Sequence, residues 1–248
     1  EMKAMMEESV LPAVSELVST GLRVTTLRTT GLMESALHEM VSDLVEASPA
    51  AVSFIPGFLG VDVRLTSRDE NAVLELSSAI LDRLGNHVYA EDWETLEEAV
   101  GRLLREEGLT LAVAESCTGG LLADRLTDVP GSSDYFLGGV VTYSDGAKVS
   151  MLGVKEDTLA STGAVSEETA REMARGVREL LQAHLGVAIT GIAGPTGGTP
   201  GKPVGLTYIG LDYAGDCHVI RYIFSEDRRF NKELAAQAAL NSIRLALI

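Results

Sequence analysis

Cysteine and histidine are scarce in this 248-residue chain, and basic residues are outnumbered. Cys117 and Cys217 are the two cysteines, with no C-x-x-C pair, so neither a disulfide framework nor a zinc knuckle is predicted. His184 and His218 beside Cys217 fit no common metal-ligand spacing, so no metal site is expected. So little cysteine makes a reducing cytoplasm the default location. No stretch reaches the ~20 uninterrupted apolar residues of a membrane span. The acidic start, Glu1 to Glu8, lacks the basic flank and apolar core of a signal peptide. The net charge is −16, with 8 Lys and Arg against 19 Asp and Glu over residues 1–106 and 12 against 17 over 107–248. Neither part has the basic surplus that phosphate-backbone binding needs, which argues against a nucleic-acid partner.

What is present reads as a soluble globular chain, 46% hydrophobic and 23% charged, with room for two modest domains. Met2 to Val18 has the pattern of an amphipathic helix interrupted near Pro12. A small α+β unit follows over about residues 20–92. Its strands are expected at 22–27, 51–56, 61–66 and about 87–89, and its helices at 34–47 and 71–84, the last ending at Gly85. Gly57-Phe58-Leu59-Gly60 fits a G-x-x-G loop, but its apolar interior and acidic surroundings favour an architectural role or a dimer contact over RNA binding. An acidic segment around Trp93 opens a helix over 96–107, expected to link the two domains within residues 93–106.

From Leu109 strands and helices alternate, predicting an α/β fold: a three-layer αβα domain with a mixed sheet. Strands are expected at 109–114, 138–143 and 187–190, then a hairpin of 205–212 and 217–224. A helix capped by Ser166 is expected to reach Leu185 and bury Ala170, Met173, Val177, Leu180 and Leu181. A terminal helix spans 230–247.

Three segments of this half carry chemistry. Ala114-Glu115-Ser116-Cys117-Thr118-Gly119-Gly120 lies where a strand gives way to a helix, where unpaired N–H groups stabilise negative charge. Ser116 is there a candidate acyl-transfer nucleophile, with oxyanion donors around Cys117, Thr118, Gly119 and Gly120. Histidine offers it no base, whereas Lys148, in Tyr143-Ser144-Asp145-Gly146-Ala147-Lys148, can serve if burial strips its proton near neutral pH. The loop Gly191-Ile192-Ala193-Gly194-Pro195-Thr196-Gly197-Gly198 can bring backbone donors close to a phosphate or sugar. It is not a Walker A loop. Loops at the carboxyl ends of parallel strands form the ligand crevice of open α/β sheets, so the three segments are expected to converge. Blander readings stand beside these. Ser116 can be a helix N-cap, Lys148 a solvated lysine, Cys117 a buried neighbour rather than a nucleophile, and the glycine loop a tight connection. Arg228 and Arg229 can reach a phosphate or simply be solvated at a helix start, and the second reading is preferred.

Together with Gly163-Ala164-Val165-Ser166, these segments resemble, in order and spacing, the C-terminal domain of the CinA family, a nicotinamide-nucleotide amidase domain. The resemblance covers residues 107–248. Residues 1–19 resemble the tail of that family's molybdopterin-binding-like first domain, and 20–92 its KH-type middle domain. The chain is therefore expected to be a fragment or short form of the longer protein, and the first domain's ADP-ribose hydrolysis does not carry over. The resemblance implies hydrolysis of nicotinamide mononucleotide to nicotinate mononucleotide and ammonia, without cofactor or metal, in a homodimer. It makes Ser116 the nucleophile, Lys148 its base and Tyr143 a helper through its hydroxyl. The nucleotide end is assigned to Gly191, Ala193, Gly194, Pro195, Thr196, Gly197 and Gly198. Asp145 stands where the family usually has Asn, and a carboxylate there favours the protonated form of Lys148. The competing expectation is a non-catalytic nucleotide-binding or scaffold module.

Overall fold

A computed structural model describes residues 2–17, 21–225 and 227–248. The chain divides into two compact units, residues 1–93 and 94–248. Among the described residues no helix is long and apolar enough to cross a membrane.

The first unit opens with α1 (Met2–Met5), a π-helical turn (Met6–Val10) and α2 (Leu11–Leu17). The interruption expected near Pro12 takes the form of this π turn, which ends two residues ahead of the proline. Val18 lies outside the described residues. The body of the unit comprises β1 (Arg23–Thr29), α3 (Glu34–Ala47), β2 (Ala51–Pro56), β3 (Val61–Ser67), α4 (Glu70–Leu84) and β4 (Val88–Glu91). Its antiparallel sheet has the order β2-β3-β1-β4. Leu37 and Val41 of α3 and Val73, Leu76 and Ile80 of α4 close over Leu27, Val63 and Leu65 of the sheet. The glycine loop 57–60 is the turn between β2 and β3, with Gly57 N–H donating to Gly60 O at 2.8 Å. A side chain on Gly60 would begin 2.0 Å from the Thr29 carbonyl oxygen, so strand packing accounts for that glycine.

The second unit contains α5 (Leu96–Glu106), β5 (Leu111–Glu115), α6 (Leu121–Thr127), β6 (Phe136–Val141), α7 (Asp145–Leu152), α8 (Glu156–Thr162), α9 (Glu167–Leu181), β7 (Leu185–Gly191), β8 (Leu206–Tyr213), β9 (Asp216–Ile223) and α10 (Arg228–Ala246). Its mixed sheet has the order β6-β5-β7-β8-β9. The first three strands are parallel and the last two antiparallel, in the expected hairpin. Helices α7, α8 and α9 gather on one side, and α5, α6 and α10 on the other. The alternation of β5 follows this division. Ala112 and Ala114 pack with Met173, Ala174 and Val177 of α9, whereas Glu115 reaches α6.

Three expectations are corrected here. The helix over 96–106 is no free linker but part of this unit, burying Leu96, Ala99, Val100 and Leu104 and packing against α10. A capping box starts it: Thr95 Oγ1 accepts from Glu98 N–H while the Glu98 carboxylate accepts from Thr95 N–H. α9 ends at Leu181 rather than Leu185, because Gln182 turns left-handed and Leu185 already belongs to β7. Leu180 is consequently exposed on the last turn. Finally, the expected strand 138–143 ends at Val141, and α7 begins directly after Tyr143. Ser144 is its N-cap, accepting from Ala147 N–H at 3.2 Å.

α9 lies close on the sheet because glycines permit it. A side chain on Gly186 of β7 would begin 2.1 Å from the Ala174 carbonyl oxygen and 2.6 Å from Arg178 Cβ. Gly186→Ala is therefore expected to push α9 outward and to lower unfolding stability by about 1–3 kcal/mol, read from urea denaturation.

Candidate active site

The parallel strands β6, β5 and β7 end on the same edge, and their following segments meet there. Ser116 directly follows β5, and its N–H donates to Ile189 O of β7 at 3.0 Å. Thr142, just beyond β6, donates its N–H to Glu115 O at 2.8 Å. The ends of the three strands are thus stitched together around Ser116.

Lys148 comes to this point from α7. It is 1% exposed, and its Nζ stands 3.2 Å from Ser116 Oγ. Thr142 O lies 2.8 Å from Nζ and Tyr143 O 3.5 Å. A neutral amine has two N–H bonds and one lone pair. The two carbonyls can take the protons, which turns the lone pair toward the Ser116 hydroxyl. Burial pulls Lys148 below the ordinary lysine value of 10.5, against the opposing pull of Asp145 and Cys117. Asp145 is exposed in the first turn of α7, so water weakens its hold on the ammonium.

The turn after Ser116 separates its donors into two sets. Glu115, 1% exposed, receives Gly120 N–H at 3.0 Å and Leu122 N–H at 3.1 Å on one oxygen, and Ala123 N–H at 2.9 Å on the other. Gly120 is thereby removed from the expected oxyanion donors, since its N–H is already spent on a carboxylate. Among the described residues, the N–H groups of Cys117, Thr118 and Gly119 donate to no other residue, that of Cys117 lying against its own sulfur. Cys117 is buried, and burial pushes its thiol up to about 11, so it is not a thiolate near neutral pH. Its sulfur packs toward Gly191, where a side chain would begin 3.1 Å from Sγ and 2.7 Å from Thr207 Oγ1.

The glycine loop is held from α10. Asn231 Nδ2 donates to Ala193 O at 3.0 Å, and Arg228 donates to Gly194 O at 2.7 Å. The second guanidinium nitrogen of Arg228 donates to Tyr143 Oη at 3.1 Å. Arg228 therefore joins the Tyr143 and glycine-loop segments, which corrects its reading as a merely solvated residue. Arg228, Arg229 and Lys232 line an open cleft of about 630 Å³ with Leu121, Pro195, Asp227 and Glu233. Lys232 Nζ comes within 3.8 Å of where a Gly119 side chain would start, so the cleft adjoins the turn that follows Ser116. Gly191, Ala193, Gly194 and Pro195 belong to this assembly. Thr196, Gly197 and Gly198 lie on the exposed outer part of the loop and do not line the cleft.

The segment 163–166 is a clamp behind the loop. Thr190 Oγ1 donates to Ala164 O at 2.7 Å, and Lys202 Nζ donates to Thr162 O at 2.5 Å and Val165 O at 2.7 Å. Among the described residues no group of three or more His, Cys, Asp or Glu could hold a metal ion.

Residues 93–247 match the family model of the CinA C-terminal domain, and residues 24–90 that of the damage-inducible protein CinA KH domain. The chain belongs to the CinA family. A CinA-like protein of Salinibacter ruber is 46% identical over 255 residues, covering 100% of this chain and 62% of its own length. Another from Geobacter metallireducens is 44% identical over 257 residues, with the same two coverages of 100% and 62%. The chain thus spans about three fifths of the curated CinA relatives it matches. Among solved structures, a CinA superfamily protein of Klebsiella pneumoniae is 37% identical with a TM-score of 0.60, over 61% of this chain and 95% of that one. One from Escherichia coli is 33% identical with a TM-score of 0.58, over 65% and 98%.

Because Asp145 holds Lys148 up while burial pulls it down, Asp145→Asn is expected to lower the Lys148 pKa further. The titration of its side-chain ε-carbon by NMR reads this; an unchanged or raised midpoint contradicts the assignment.

Proposed function

We propose that this chain hydrolyses the carboxamide of nicotinamide mononucleotide to nicotinate mononucleotide and ammonia. The observation that carries the reading is the 3.2 Å approach of buried Lys148 Nζ to Ser116 Oγ. The choice of substrate rests on the four motifs shared with the CinA C-terminal domain. Ser116 Oγ attacks the carboxamide carbon while Lys148 takes the hydroxyl proton. The oxygen that becomes negative is received by the N–H groups of Cys117, Thr118 and Gly119. Collapse of the tetrahedral adduct breaks the C–N bond, and the Lys148 proton leaves with ammonia. Water then attacks the acyl-serine, giving its proton to Lys148, and the carboxylate departs as Ser116 recovers its hydrogen. Tyr143 has its carbonyl 3.5 Å from Lys148 Nζ and its hydroxyl on Arg228, so it ties this pair to the cleft cations. The phosphate of an anionic nucleotide finds Arg228, Arg229 and Lys232 in the adjoining cleft.

Ammonia release from the mononucleotide is the direct assay. Ser116→Ala and Lys148→Ala are each expected to lower kcat by on the order of 1,000-fold or more. Undiminished turnover in either variant overturns the mechanism, and calorimetric binding without turnover in wild-type protein favours a binding module instead. Only neutral Lys148 can accept the serine proton, so activity falls as pH drops through its depressed pKa. A wild-type profile that instead rises toward acid contradicts its role as base. Arg228→Ala is expected to raise KM by about tenfold, since one charged hydrogen bond to phosphate is lost; an unchanged KM removes Arg228 from the phosphate's contacts.

A further inference from the structure

Glu115 stands immediately before the proposed nucleophile, and the proposed reaction gives it no part. It is nearly inaccessible, and among the described residues no Lys, Arg or His pairs with it. A buried carboxylate without a cation is costly unless its oxygens are well supplied with donors. Here three backbone N–H groups supply them, at 3.0, 3.1 and 2.9 Å. All three come from the start of α6, the place where a helix would otherwise attract an anion. A serine or asparagine cap would serve one or two such donors and leave the turn free to shift. The carboxylate gathers three and closes the chain from 115 to 123 into a fixed loop. Its path is unusual, with Gly119 at φ 67° and Gly120 at φ 102°. The main chain of Glu115 is anchored as well, through Thr142 N–H to its carbonyl oxygen.

We infer that Glu115 is a positioning residue for the nucleophile turn: it occupies the donors of α6 and leaves those of Cys117, Thr118 and Gly119 to the reacting oxygen. The inference rests on the acyl-transfer reading of Ser116 but not on the identity of the substrate. A glutamine at 115 has one acceptor oxygen and an NH₂ that faces N–H groups, so part of this closure is lost while size is kept.

The experiment compares wild type, Glu115→Gln and Thr95→Ala, the last removing a helix cap remote from the site. Each is treated with a fluorophosphonate, a general probe of serine nucleophiles. Ser116 Oγ bonds to phosphorus, fluoride leaves with the P–F electrons, and the hydroxyl proton passes to Lys148. In Glu115→Gln the labelling rate at Ser116 is expected to fall by on the order of 100-fold. Its kcat for ammonia release should fall likewise with KM changed less than threefold. Thr95→Ala should lower the melting temperature while leaving both rates alone, which separates positioning from loss of stability. Labelling of Glu115→Gln at the wild-type rate overturns the inference. Wild-type protein that labels at Ser116 but releases no ammonia sinks the substrate reading and leaves the Glu115 comparison intact; wild-type protein that does not label overturns both. If Glu115→Gln does not fold, amide exchange in wild-type protein decides. Slow exchange at Gly120, Leu122 and Ala123, with protection of Cys117, Thr118 and Gly119 appearing on phosphonylation, supports the inference; fast exchange at the first three overturns it.

Discussion

The burial of Lys148 is the constraint on which the site depends. An ammonium shut away from water is disfavoured against the neutral amine, and Asp145, the carboxylate that opposes this, lies exposed to water on α7. What the protein supplies at Nζ instead are carbonyl oxygens from the end of β6, which accept N–H from either form. That arrangement needs Thr142 and Tyr143 to leave the strand at a set angle and α7 to start at once, so that one helical turn returns position 148 to the strand end. Ser144 as N-cap provides this immediate start. The distance between Ser116 and Lys148 is therefore a property of a strand end and a helix cap, not of two long side chains finding each other.

Charge around the pair is segregated. Glu115 lies beneath the turn, its negative charge spread over three N–H groups, while Arg228, Arg229 and Lys232 lie along the open cleft. Glu115 is buried, whereas the cleft sets three cations against Asp227 and Glu233 and keeps a local surplus of positive charge. An anionic ligand approaching a chain of net charge −16 meets a repulsive average field, which salt screens within about 8–10 Å. Inside that distance the local cations of α10 decide, and they stand beside the turn where negative charge would develop.

Much of this was legible where local rules suffice. β5, α3, the β8–β9 hairpin and the Ser166 cap follow from periodicity and capping chemistry, and the convergence of strand ends follows from a parallel sheet. Other features depended on tertiary contacts that no local window contains. Arg228 resembles any solvated arginine at a helix start until α10 is laid beside Gly194 and Tyr143. Leu180 fits the apolar face of α9 by spacing, yet the helix has already passed the edge of what it covers. α7 did carry a signal, Ser144 followed by Asp145, but a β-branched strand running into it obscured the start. The role of Glu115 was hidden for a different reason. Beside a serine it invites reading as an acid or a base, and only the three N–H groups on its oxygens show that its lone pairs are already committed.

That commitment also bears on which donors the reaction can use. A helix N-terminus and a turn just before it are rival places for an oxyanion, separated by only a few residues. Were both free, the developing charge could settle in either. Filling the helix end with a resident carboxylate removes one choice at the cost of burying a charge. Burial keeps the Cys117 thiol protonated and the same negative charge nearby adds to this, so that the thiol beside the proposed nucleophile stays inert. In the proposed reaction one side chain thus narrows both where negative charge is received and which atom attacks.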